Sequence, residues 1–268
     1  MAPHELPIGV FDSGLGGLTV LKALREHLPS ENFIYLGDVA RLPYGSKSQA
    51  VVCEYARQCT RFLVGRNVKA VVIACNTASA MALEVLQKEM PVPVFGVILS
   101  GAQAGLAANQ SPKSILVLAT ESAVRSEAYL KAFARLDPTQ SVEQLACPLL
   151  VPLAEEGWFD HSVTQQVISH YLSTVDLHKT GTVVLGCTHF PLLEPSFRKV
   201  LPAHIALVHG GQGAALQVAS ALEKTGLRNA SGLGTVSLLT TDRVSVRLPL
   251  LGDWTHAFGE AEVVHLGL

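Results

Sequence analysis

Short apolar runs alternate with longer amphipathic stretches through most of this chain. Val71-Val72-Ile73-Ala74 has no polar member and reads as a strand buried on both faces of a parallel sheet. Residues 7–11, 32–37 and 92–97 read as companion strands. Between them, residues 18–27 carry a helical pattern, with Leu21, Leu24 and the following Leu28 on one face. Residues 48–66 and 78–90 also read as helices. Four strand–helix units in the first 97 or so residues predict a doubly wound sheet.

The pattern then returns. Strands are expected at 114–119, 141–146 and 182–186, helices at 121–136 and 160–176, and a short helix opening at Ser100-Gly101-Ala102. Further on come 192–201, a strand at 205–208, a helix after the Gly-rich turn at 210–213, and a late strand at 236–240. Two pieces repeat in sequence. Ile8-Gly9-Val10-Phe11-Asp12-Ser13 resembles Ile115-Leu116-Val117-Leu118-Ala119-Thr120. The strand ending in Cys75-Asn76-Thr77 resembles the one ending in Cys187-Thr188-His189. Such self-similarity predicts a duplicated unit. The fold class expected is α/β: two doubly wound parallel-sheet domains related by pseudo-twofold symmetry, with a site in the cleft between them. The boundaries expected are 1–98 plus 209–268 for one domain and 99–208 for the other.

Composition narrows the function. With 49% apolar and 16% charged residues there is material for sizeable cores, and 268 residues suit one large or two ordinary domains. The formal charge is −2 and no basic run stands out, so nucleic acid is not an expected partner. Residues 1–7 lack the regions of a secretory signal, and no apolar run of about 18 residues suggests a membrane span. Five cysteines, an odd and widely spaced set, point to free thiols and a cytoplasmic setting. Cys53 and Cys59 read as core residues. There is no C-x-x-C, and Cys187 with His189 lacks further ligands at metal-site spacing, so no metal is expected.

Candidate chemistry gathers where strands end, the edge at which open parallel sheets bind ligands. Cys75 and Cys187 each close a strand and precede capping polar residues. Two copies facing each other put one thiol on each side of a shared ligand. Asp12-Ser13-Gly14-Leu15-Gly16-Gly17 invites a dinucleotide reading, but Thr19 takes the place of the third glycine and Asp12 would repel a pyrophosphate. A tight turn, or a backbone-rich anion site displaying Asp12, fits better. Of the adjacent acids Glu155 and Glu156, both could be solvated, or one could point into a site.

Asp12-Ser13-Gly14, Pro43-Tyr44-Gly45, Ala74-Cys75-Asn76-Thr77-Ala78 and Gly186-Cys187-Thr188-His189-Phe190-Pro191 resemble the motifs of the glutamate racemase family, in order and over nearly the whole chain. The resemblance implies cofactor-independent interconversion of L- and D-glutamate, with D-glutamate destined for bacterial peptidoglycan. It implies Cys75 and Cys187 as the two proton-transfer groups, Asp12 as assistant on the Cys75 side, and His189 and Glu155 on the Cys187 side. Substrate contacts are expected from Asp12, Ser13, Pro43, Tyr44, Gly45, Asn76, Thr77, Thr120, Ser122, Thr188 and His189. The expected partner is a small molecule, glutamate, with a homodimer as the candidate assembly. Three positions depart from the family pattern: Ala123 replaces a hydroxyl residue, for which Ser122 or Thr120 could substitute, Ser100 replaces a proline, and His209-Gly210-Gly211 replaces an acidic or serine-containing turn. Alternatives are an aspartate racemase or another cofactor-free racemase or decarboxylase on the same frame, and a non-catalytic amino-acid-binding module.

Overall fold

The computed structural model describes residues 2–110, 112–243 and 262–266. Two parallel sheets dominate it. The first is built from β1 (Ile8–Asp12), β2 (Phe33–Gly37), β3 (Ala70–Ile73), β4 (Val94–Gly96), β9 (Val236–Thr240) and β10 (Glu262–Val263), in the order β10-β9-β2-β1-β3-β4. The second is built from β5 (Ser114–Ala119), β6 (Val142–Ala146), β7 (Thr180–Gly186) and β8 (Ala206–Val208), in the order β6-β5-β7-β8. Every pairing is parallel. The order 2-1-3-4 of the first sheet recurs in the second, with β5 in the place of β1 and β7 in the place of β3. The architecture is α/β with two doubly wound sheets.

Burial explains why these runs are strands. All five residues of β1, all four of β3 and all seven of β7 are buried. Their side chains point alternately to opposite faces, each needing its own helical cover. Val10 joins a cluster with Leu21 and Leu24 of α1 (Leu18–His27) and with Val218 and Leu222 of α10 (Gly211–Thr225). Its neighbour Phe11 joins Leu63 of α2 (Gln49–Gly65) and Leu86 of α3 (Asn76–Glu89) on the other face. The second sheet behaves alike. Leu116 packs in a cluster with Ile168 of α8 (Ser162–Leu172) and Phe197 of α9 (Glu194–Val200). Val117 packs in one with Ala102 of α4 (Ile98–Ala108) and Tyr129 and Phe133 of α6 (Ala128–Leu136).

Several elements differ from the sequence expectation. The helix expected over 121–136 is two helices, α5 (Glu121–Arg125) and α6. Glu127 between them is left-handed, with φ 57°. The cause is Ser126, whose hydroxyl donates to the Ala123 carbonyl and accepts from the Ala128 N–H, in competition with the helical ladder. The helix opening near Ser100 starts at Ile98 and runs eleven residues. α3 starts at Asn76, because the Cys75 sulfur itself takes the capping position. α8 is shorter than the 160–176 expected. Residues 150–155 form α7 (Leu150–Glu155), and a turn of tight helix at Phe190–Leu193 precedes α9. Of the span 209–268 assigned to the first domain, 244–261 and 267–268 lie outside the described residues. Within the described part, α10 packs on α1 and β9 pairs with β2. No helix among the described residues is long and apolar enough to cross a membrane.

A buried ion pair ties this assembly together. Lys69, before β3, meets Glu31, before β2, and both are almost wholly buried. Lys69 Nζ also donates to the carbonyls of His4 at 2.6 Å and Leu227 at 2.9 Å. Glu31 Oε1 accepts from the Asn229 N–H at 2.8 Å. The pair thus joins the N-terminal segment, the β2 and β3 entries and the chain after α10. Removing one partner of such a pair strands a buried charge and costs about 3–5 kcal/mol. Lys69→Met is therefore expected to lower unfolding stability by about that amount, read as a shifted urea midpoint. An unshifted midpoint would mean the ammonium contributes nothing to holding these segments.

Candidate active site

In a sheet with strand order 2-1-3, the ends of strands 1 and 3 flank the point where the winding reverses, and ligands bind there. β1 ends in Asp12 and β3 runs into Cys75. In the second sheet, β5 runs into Thr120 and β7 into Cys187. These two switch points meet at one narrow cavity. Ser13, Pro43, Tyr44, Gly45, Cys75, Asn76 and Thr77 line it from the first sheet, and Thr120, Cys187, Thr188 and His189 from the second. Leu42 and Val151 also line it, apolar positions that no chemical signal in the sequence marked.

On the first side, Cys75 caps α3, and the Ala78 N–H donates to its sulfur at 3.5 Å. The thiol donates to the Ser13 hydroxyl at 3.6 Å. Burial, with the nearby charge of Asp12, pushes the Cys75 thiol up to about 12, against the smaller pull of those two contacts. Cys75 therefore carries its proton at neutral pH. The turn after β1 is shaped around Asp12. Its Oδ2 accepts from the Gly14 N–H at 3.1 Å, and the Tyr35 hydroxyl donates to the Gly14 carbonyl at 2.8 Å. A Cβ at Gly17 would lie 2.9 Å from both the Asp12 carboxyl carbon and the Tyr35 hydroxyl. That glycine makes room for protein atoms.

On the second side, His189 Nδ1 lies 3.8 Å from the Cys187 sulfur, and its Nε2 lies 2.9 Å from Glu155 Oε1. Burial opposes a charge on this ring. Hydrogen bonds to Cys187 and Glu155, with the charges of Cys187 and Asp12, outweigh burial and raise His189 to about 10. Glu155 is thus the acid aimed at the site, acting through His189, while Glu156 is the capping residue that follows α7. Asp12 touches this side too: Thr188 Oγ1 donates to Asp12 Oδ1 at 3.2 Å. Asp12 thus bonds to residues beside both sheets. Burial raises its carboxyl above the ordinary range, while His189 and the N–H groups of Gly17 and Gly14 act the other way.

The two sides are bolted together around the cavity. Thr77 and Thr120 share a hydrogen bond of 2.8 Å between hydroxyls. Gly45 lies so close to Thr120 that a Cβ there would come within 2.8 Å of the Thr120 Cβ. Tyr44 lines the cavity, and its hydroxyl bonds the buried Asp38 carboxylate, which also holds the Arg41 Nε at 2.7 Å. Ser122 does not reach the cavity. Its hydroxyl donates to the Lys47 carbonyl and accepts from Arg125, each at 2.8 Å, so it anchors the loop after Gly45. Ala123 is fully buried in the apolar cluster beneath β5 and is likewise absent from the lining. Ser100 donates to the Gly210 carbonyl at 2.9 Å and so ties α4 to the turn before α10.

The chain is similar to known proteins over most of its length. The family model described as Asp/Glu/Hydantoin racemase matches residues 16–219. A glutamate racemase of Syntrophus aciditrophicus is 42% identical over 252 residues, 94% of this chain and 93% of that relative. The crystal structure of glutamate racemase from Thermus thermophilus, in complex with β-chloro-D-alanine, is 41% identical with a TM-score of 0.86 over 98% of each chain. That of the Francisella tularensis enzyme, in complex with D-glutamate, is 34% identical with a TM-score of 0.88, also over 98% of each chain. With two sheets of one strand order and a thiol at each switch point, the chain belongs to the Asp/Glu/Hydantoin racemase family.

Proposed function

We propose that this chain interconverts L- and D-glutamate, moving a proton at Cα between Cys75 and Cys187. The observation that carries this reading is a single cavity lined by two thiols from two sheets, one at each switch point. Inverting an α-carbon requires removing a proton from one face and delivering one to the other. Two fixed groups do this without any group swinging around the substrate.

In this reading the two thiols start in unequal states. Cys75 holds its proton. Cys187 sits beside a ring that holds a positive charge to about pH 10. Cys187 then takes the Cα proton from L-glutamate, and the Cys75 thiol delivers its proton to the opposite face. The product is D-glutamate, with Cys187 as the thiol and Cys75 as the thiolate, the state from which the reverse reaction starts. Proton transfer of this kind contributes about 10²–10⁴-fold. The larger part of the barrier is lowered by donors aimed at the carboxylate as it gains enediolate charge. Ser13, Thr77 and the N–H groups of the turns supply them. Asp12 and the His189–Glu155 pair stand behind the two sulfurs. The reading extends to D-glutamate supply for peptidoglycan in the cytoplasm, with which five free thiols agree.

The test is incubation with L-glutamate in D2O, following optical rotation and Cα deuterium. Decay of rotation to zero with deuterium in both enantiomers is the expected result. Carbon dioxide release would point to a decarboxylase, and turnover of aspartate but not glutamate to the related racemase. Binding without loss of rotation would leave only an amino-acid clamp.

A further inference from the structure

Asn76 opens α3 and lines the cavity beside Cys75. Its amide has two unlike ends, an oxygen that accepts and an NH2 that donates. The oxygen accepts from the hydroxyl of Tyr129, on α6 over the other sheet, at 2.7 Å. Among the described residues, no group accepts from Asn76 Nδ2, and the Tyr129 hydroxyl has no other hydrogen-bond partner. Turning the amide over would let NH2 donate to the phenol oxygen but would leave the buried phenolic hydrogen with no acceptor. Burial, with the charge of Cys187 adding, raises the Tyr129 phenol well above its ordinary range, so it remains a donor. The ring is also fixed in place. A Cβ at Gly101 would come within 2.9 Å of the Tyr129 hydroxyl, and one at Gly186 within 3.0 Å of the ring. Gly186 is the residue before Cys187, so this side chain touches the approach to one thiol and orients the neighbour of the other.

We propose that Tyr129 is a positioning residue that holds the Asn76 amide with Nδ2 toward the cavity, where it donates to the α-carboxylate of the bound amino acid. The proposal rests on reading the cavity as an amino-acid racemase site. An ionised carboxylate only accepts hydrogen bonds, so a reversed amide would present oxygen to oxygen. Tyr129 thus decides whether the Cys75 side of the cavity offers a donor or an acceptor. Because the two residues belong to different sheets, the amide is set only while the sheets are held together.

Tyr129→Phe keeps the ring and deletes the hydroxyl. It is to be compared with Asn76→Ala and with the double variant, by steady-state kinetics on L- and D-glutamate and by calorimetric binding of D-glutamate. A hydrogen bond to a charged group governs about a tenfold or larger factor in affinity. Tyr129→Phe is expected to raise KM in both directions, and Kd for D-glutamate, about tenfold, with kcat changed much less. Asn76→Ala should do at least as much, and the double variant no more than Asn76→Ala alone. A KM within twofold of the parent, or effects that multiply in the double variant, would overturn the proposal. A role in packing alone would lower the melting temperature and leave KM in place, which also overturns it. A parent that binds D-glutamate but racemises nothing removes the racemase reading and leaves the Kd ratios to decide on Tyr129. A parent that binds no glutamate removes both.

Discussion

Alanine at Cys75 or at Cys187 is expected to abolish racemisation in both directions. Each substitution leaves one face of Cα without a proton donor or acceptor, and among the described residues no other titratable side chain lines the cavity except His189 and Tyr44. The Tyr44 hydroxyl is engaged with Asp38, and burial holds it far above the ordinary phenol range. His189 stands on the same side as Cys187, so it does not replace Cys75. Losing one proton-transfer group is worth about 10²–10⁴-fold, and losing it from a two-step relay stops inversion outright. The two variants should nonetheless differ. With Cys187 intact, Cys75→Ala should still exchange the Cα proton of L-glutamate with D2O, because Cys187 can remove a proton and return one to the same face. D-glutamate should not exchange. The check is proton NMR of each enantiomer with each variant. Substantial racemisation by either variant would remove the two-thiol mechanism, and equal exchange of both enantiomers would remove the assignment of faces.

The second large effect is expected at His189. His189→Asn takes a positive charge from 3.8 Å beside the Cys187 sulfur and leaves Glu155 unpaired. A loss of about 10²-fold in kcat/KM is expected, the low end for a group assisting proton transfer. The loss must be equal in the two directions, since the enantiomers are equally stable in water and the ratio of their kcat/KM values is fixed at one. The pH profile carries the sharper signal. His189 is raised, so its charge is complete at neutral pH and is lost as pH climbs through about 10. The parent should hold its kcat/KM through pH 8 and fall on an alkaline limb near about 10. Glu155→Gln, which removes one of the groups that raise His189, should move that limb to lower pH. A limb that stays in place would mean that His189 does not set it.

What the sequence made legible was local. A strand of unbroken apolar residues, a cysteine at its end and polar caps after it placed Cys75 and Cys187 at strand–helix junctions, because burial and capping act over a few residues. The recurrence of that unit anticipated two sheets of one strand order. Contacts made only by folding were not legible. The bond from Thr188 to Asp12 joins residues from opposite sheets and ties Asp12 to the side of Cys187. Ser122 could be credited with a substrate contact until its hydroxyl was seen on the Lys47 carbonyl. Tyr129 reads in sequence as one more apolar position on an amphipathic helix. The break between α5 and α6 comes from a single serine hydroxyl, which periodicity does not weigh.

The pairing of β9 with β2 has a consequence for how the chain is made. Phe33 lies beside Val236, about 200 residues later, and α10 covers α1. On the ribosome, β2 therefore emerges early and waits with an open edge. The strands of the second sheet, all between residues 114 and 208, leave the exit tunnel and can pair before that edge is covered. An uncovered strand edge is a template for pairing with other chains. The part of the protein synthesised first is thus completed last, and a nascent chain stalled before α10 would expose the unpaired β2 and the bare apolar face of α1 together.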